Sequence, residues 1–141
     1  MARRIEKELQ EFRLNPPTYY SCAPIKDDIF RWQAPDTPYS GGTFLLDIQF
    51  SMDYPLRPPK VLFTTLIYHP NINISGVISN SILNNDWLSY YNITTVLMSI
   101  YSMMIDPNPV ESLVPEIAHV YIIDRARYNA TAREWTRKYA M

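Results

Sequence analysis

Apolar positions recur with two different periods along the chain, and the change of period divides it. Over residues 2 to 13, Ile5, Leu9 and Phe12 fall on one side, with Arg3, Arg4, Glu6, Lys7 and Gln10 around the rest. That pattern predicts an amphipathic helix, ended by "NPP". A Pro- and Tyr-containing loop follows, including "YYSCAP". "DIFRWQA" predicts a strand, "PDTPYSGG" a turn, and "TFLLDIQF" a strand whose Phe44, Leu46, Ile48 and Phe50 alternate inward. "YPLRPPKVLFTT" predicts a proline-rich bend and a further strand. From Trp87 onward Ile93, Val96, Leu97, Ile100 and Met104 recur every three or four residues, a helix that "DPNP" stops at Asp106. Pro115 suits the first turn of another helix. Asp124 suits the cap of a last one, whose buried side would include Tyr128, Ala132 and Trp135. Helix, antiparallel strands, an irregular middle and then helices predict an α+β domain with helices segregated from the sheet.

Composition narrows the class. With 141 residues, 47% apolar and 13% aromatic, the chain is long enough for one domain with a real core, so residues 1–141 are read as a single domain. The net charge of −1 excludes the basic excess of a nucleic-acid binder. No apolar run is long enough to span a bilayer, and "MARRIEKELQ" places charges where a secretory peptide needs apolar residues. An intracellular protein of the cytoplasm or nucleus is expected, without membrane partners. One cysteine, Cys22, excludes an internal disulfide framework and a multi-cysteine zinc site, and His69 and His119 are not at ligand spacing. No metal and no cofactor is expected. The sequons at Asn73, Asn92 and Asn129 are read as accidental.

Candidate chemistry concentrates in "YHPNINISGVISNSIL", residues 68 to 83. Taken alone it is a poor catalytic kit. His69 follows a strand and precedes a proline, the place of a turn histidine bonded to its own backbone rather than of a general base. No Asp or Glu lies within the segment to orient it, and Ser79 has no local base to activate its hydroxyl.

"YHPNIN", then a Gly, an Ile and "SIL" before a Trp, together with "YPLRPPKVLFTT", "DPNP", "LVPEIA" and "AREWTRKYAM", resembles the ubiquitin-conjugating enzymes, most closely their compact D class. The resemblance covers nearly the whole chain. It implies the family's core fold: an N-terminal helix, a four-stranded antiparallel meander, a central helix beside the active site and two C-terminal helices. It implies no cofactor and a partner, ubiquitin, received as a thioester on a cysteine. Reading from Gly76 through Val77 and Ile78, that cysteine position falls on Ser79. A thiol ionises near a pKa of about 8.5, whereas a hydroxyl stays protonated at physiological pH. Turnover should therefore be very low.

Other positions depart as well. Where the family carries an Asp two places beyond the nucleophile, this chain has Ser81. The acidic residue after "DPNP" is Glu111, preceded by Val110. Asn71, which in the family supports the oxyanion or the loop, is retained. About five residues of the usual pattern are missing between Ala34 and Pro35, which would shorten the second strand or rebuild its turn. Leu56 can stand in for the bulky apolar residue of the ligase surface, but "WLSYY" replaces a Ser-Pro-Ala segment, and Tyr90 there argues against RING ligase binding. Arg3, Arg4 and Lys7 match the basic helix that docks on the activating enzyme. Ser21 matches the back-face serine where D-class enzymes bind a second ubiquitin without a covalent bond. Cys22, in a loop away from the site, is read as packing rather than as a substitute nucleophile. Three readings remain open: a catalytically dead binding homologue, a weak or trapped carrier forming a Ser79 oxyester, and a degenerate copy without a maintained role.

Overall fold

The computed structural model describes Lys7, Glu8, Gln10, residues 21–24 and 29–33, and residues 37–141. The helix expected over residues 2–13 lies largely outside this set; Lys7, Glu8 and Gln10 within it are helical. Four strands, β1 (Ser21–Pro24), β2 (Ile29–Gln33), β3 (Phe44–Gln49) and β4 (Lys60–Phe63), pair in sequence order, each antiparallel to the next.

β1 corrects the reading of "YYSCAP" as loop, since Ser21 through Pro24 pair with Gln33 through Phe30. Pro16 and Pro17 before it and Pro24 at its end hid it. A proline is tolerated on an edge strand because its outward side needs no amide donor. β2 is five residues long and pairs with β3 from Ile29 opposite Asp47 to Trp32 opposite Phe44.

The alternation in β3 is strict. Phe44, Leu46 and Ile48 are completely buried while Leu45 and Gln49 are exposed. Burying each large apolar side chain stabilises the fold by about 1.5–3 kcal/mol. Phe50 lies beyond the strand and is half-buried, its ring edge-on to Tyr54 at 4.7 Å.

Helix α1 (Ile93–Ile105) closes the other side of this core with Ile93, Val96, Leu97, Ile100, Met103 and Met104. Its start is fixed by chemistry rather than propensity. Asn92 accepts from Thr95 N–H at 3.0 Å in a capping box, and Glu8 Oε1 accepts from Ile93 N–H at 3.0 Å and from the Tyr54 hydroxyl at 2.6 Å. Helices α2 (Pro115–Ile123) and α3 (Arg125–Tyr139) follow, with Pro115 in the first turn of α2 and Asp124 capping α3 through Arg127 N–H at 3.1 Å. The buried side of α3 is Tyr128, Ala132 and Thr136. Trp135, expected there, is half-buried instead, its ring 5.4 Å from that of Tyr68. Thr136 can replace it in the interior because its hydroxyl is satisfied within the helix, on Ala132 O at 2.8 Å.

Candidate functional site

The segment between β4 and α1 is folded back on the sheet. Phe63 N–H donates to Gly76 O at 3.0 Å, and isolated bridges join Leu62 to Val77 and Ile72 to Ile78. Gly76 makes the turn possible. It has φ +87°, and a Cβ there would stand 2.0 Å from Phe63 O. Ser79 emerges from this turn half-buried, its N–H bonded to Asn71 O at 2.8 Å.

Behind it lies a rigid polar floor. His69 is completely buried; Nδ1 accepts from Asn71 N–H at 3.0 Å, which leaves Nε2 to donate to Met103 O at 3.1 Å. Burial lowers its pKa to about 4, only partly opposed by the Met103 carbonyl, so the ring is neutral at pH 7. The sequence reading of His69 as a backbone-bonded turn residue agrees with this geometry. Asn71 is likewise fully buried: Nδ2 donates to Asn108 O at 2.8 Å and Glu111 O at 3.3 Å, and Oδ1 accepts from Asn108 N–H at 2.9 Å. Both amide hydrogens of Asn71 are therefore spent on the "DPNP" loop, leaving none aimed at an oxyanion.

Two clefts meet at Ser79. One, of about 410 Å³, is lined by Ser79, Asn80, Ser81, Asn84, Asn85, Asp86, Glu111 and Ser112. The second, of about 180 Å³, shares Ser79, Asn80, Ser81 and Glu111, and adds Ser99, Met103, Asp106 and Asn108. Ser79, Ser81 and Glu111, singled out separately in the sequence, thus share one surface. Asn80, Asn84, Asn85, Asp86 and Ser112 were not singled out. The run "NND" before Trp87, polar where a core segment would be apolar, was the available signal. Among the described residues the Ser79 hydroxyl has no side-chain hydrogen bond, and no group of three or more His, Cys, Asp or Glu could hold a metal ion. Carboxylates line the clefts, Glu111 both of them, Asp86 the larger and Asp106 the smaller, but none is hydrogen-bonded to the Ser79 hydroxyl, which is therefore not activated in this arrangement.

The remaining candidates lie apart. Leu56 and Tyr90 are 77% and 75% exposed, flanking Trp87, whose Nε1 donates to Pro55 O at 2.8 Å. Tyr90 packs edge-on to Tyr91 at 5.1 Å. Lys7 is exposed, Ser21 and Cys22 lie in β1, and Arg3 and Arg4 fall outside the described residues.

Residues 4–136 match the family described as Ubiquitin-conjugating enzyme. The chain belongs to the ubiquitin-conjugating enzyme family. An α+β fold is the architecture of that family, and its members generally bind ubiquitin, activating enzymes and ligases. Family membership therefore associates the chain with protein ubiquitination. Among the described residues no helix is long and apolar enough to cross a membrane.

Proposed function

We propose that the chain is a D-class-like homologue of the ubiquitin-conjugating enzymes that acts by binding within the ubiquitination pathway rather than by transferring ubiquitin. Residues 1–141 form its single core domain, and Ser79 stands at the thioester cysteine. One observation supports this reading: Ser79 sits where the two clefts join, and although Glu111, Asp86 and Asp106 line them, no side chain among the described residues is hydrogen-bonded to its hydroxyl. A hydroxyl without a base is too weakly nucleophilic to take an acyl group from a thioester at a useful rate. Ser81 offers no carboxylate to an incoming amine, which leaves Glu111 and Asp86 as the acids of the larger cleft.

Partner surfaces follow the same reading. Arg3, Arg4 and Lys7 dock on the activating enzyme, Ser21 marks the face for a noncovalent ubiquitin, and Leu56 takes the apolar place of the ligase surface while Tyr90 crowds it. The protein works inside the cell, without metal or cofactor. A charging assay with activating enzyme, ATP and ubiquitin tests this beside the Ser79→Cys variant. The proposal expects no adduct on the native chain and a reductant-sensitive thioester on the variant. Silence from both would remove the docking role and favour a degenerate copy.

The Glu111 and Asp86 carboxylates in the cleft with Ser79 support a second reading, in which Ser79 is acylated slowly and holds ubiquitin as an oxyester. Its signature is an adduct that resists reductant, yields to base and vanishes in Ser79→Ala.

A further inference from the structure

The ridge between the two clefts is held by one pair of side chains. Asn80, the residue after Ser79, donates from Nδ2 to Ser99 Oγ at 2.9 Å, and Ser99 Oγ donates back to Asn80 Oδ1 at 3.1 Å. The same Oδ1 accepts from Ile82 N–H at 3.0 Å, capping the 3-10 turn of Ser81–Leu83. Asn84 Nδ2 donates to Asn80 O at 3.1 Å. Ser99 lies in the middle of α1, whose buried face is packed into the core. A two-bond pair to a rigid helix removes freedom that a single bond would leave. On the opposite side the Ser79 N–H is held by Asn71.

We propose that Asn80 and Ser99 form a latch that positions the residue 79 side chain at the junction of the clefts, making Asn80 and Ser99 positioning residues for acyl acceptance there. The inference rests on residue 79 being the acceptor position. An unlatched ridge leaves residue 79 accessible to small reagents yet displaced from the approach line of a bulky acyl donor. Displacements on the order of 1 Å are enough to cost a reaction a large factor.

The test uses the full chain carrying Ser79→Cys, alone and combined with Asn80→Ala, Asn80→Ser, Ser99→Ala, Ser99→Thr, or Asn80→Ala with Ser99→Ala. Alkylation of the introduced thiol by iodoacetamide is followed by peptide-resolved mass spectrometry, which separates it from Cys22, and charging is followed with activating enzyme, ATP and ubiquitin. Asn80→Ala and Ser99→Ala should each speed alkylation and slow charging by about tenfold. The double change should add nothing further, and Ser99→Thr should restore both rates. Asn80→Ser keeps a cap acceptor for Ile82 N–H but is too short to reach Ser99, so it should behave like Asn80→Ala. Unchanged alkylation and charging in variants that merely melt earlier would overturn the latch, as would a wild-type-like Asn80→Ser or additive single effects. If Ser79→Cys is never charged while the alkylation pattern holds, the latch stands and the acceptor reading fails.

Discussion

Asn71 and Asn108 are joined by a closed pair of hydrogen bonds, Asn71 Nδ2 to Asn108 O at 2.8 Å and Asn108 N–H to Asn71 Oδ1 at 2.9 Å. With the third bond to Glu111 O at 3.3 Å, this amide moors the loop that carries the exposed Glu111 carboxylate to the cleft. Asn71→Ala would leave a buried N–H and a carbonyl without partners, at a cost of about 2–4 kcal/mol. Asn71→Asp keeps the acceptor but turns a charge on two carbonyl oxygens, so it should be no better. Urea denaturation checks both. Stability within about 0.5 kcal/mol of the native chain would mean that water or the loop itself replaces these bonds.

His69 makes stability depend on pH. Its folded pKa of about 4 lies below the ordinary value of 6.5, so between these values the unfolded chain binds the extra proton. Stability from this residue is fully present above pH 6.5, falls as pH drops, and is spent near pH 4. The total is on the order of 3 kcal/mol. Protonating Nδ1 would also turn an acceptor of Asn71 N–H into a donor. His69→Gln should lower stability at pH 7 and flatten its slope over this range, measured by denaturant titration at several pH values. An unchanged slope would move the dependence to other groups.

Gly76 is the least replaceable residue of the turn. Gly76→Ala pays for a positive φ and for a Cβ 2.0 Å from Phe63 O, a backbone atom that cannot swing aside. We expect a loss of at least about 2 kcal/mol and a disturbed Leu62–Val77 bridge, read by thermal denaturation and amide exchange at Phe63. A variant melting within a degree or two of the native chain would show that the turn has another accessible conformation.

Placing a thiol at residue 79 should, on the proposed reading, supply the chemistry only in part. Ser79→Cys should gain charging but discharge poorly to free lysine, and adding Ser81→Asp should raise discharge by about tenfold or more. Discharge already at full rate in Ser79→Cys would assign the acid's role to Glu111 or Asp86, which line the same cleft.

Tyr90, three-quarters exposed beside Leu56's surface, sets the ligase prediction. Tyr90→Ala should tighten binding of RING domains by about fivefold or more if crowding is the defect, measured by calorimetry or interferometry. Unchanged affinity would show that Tyr90 does not crowd this surface.

Much of this arrangement was legible from periodicity. Phe44, Leu46 and Ile48 alternate, and Ile93 through Met104 repeat at helical spacing, because one face of each element must leave water. Local signals also placed Pro115 and Asp124 at helix starts. The elements that failed were those decided by tertiary contacts. β1 follows Pro16 and Pro17 and ends at Pro24, so only its pairing with β2 reveals it, and Thr136 rather than Trp135 is interior because its hydroxyl turns back on its own helix. The cleft was half legible. Ser79, Ser81 and Glu111 stand out by comparison with the family pattern, Ser79 and Ser81 because they depart from it, whereas Asn80 and Ser99, nineteen residues apart, acquire meaning only when the fold brings them together.

Trp87, whose indole N–H is tied to Pro55 O and whose ring lies 6.0 Å from Tyr54 and 5.6 Å from Tyr91, is an optical gauge built into the surface between Leu56 and Tyr90. A partner that covers this surface alters the polarity around the indole. Its emission should then shift while Trp135, tilted against Tyr68 and edge-on to Tyr139, reports on the C-terminal helix instead. With Trp32 and Trp135 replaced by Phe, occupancy there is readable without attaching a dye.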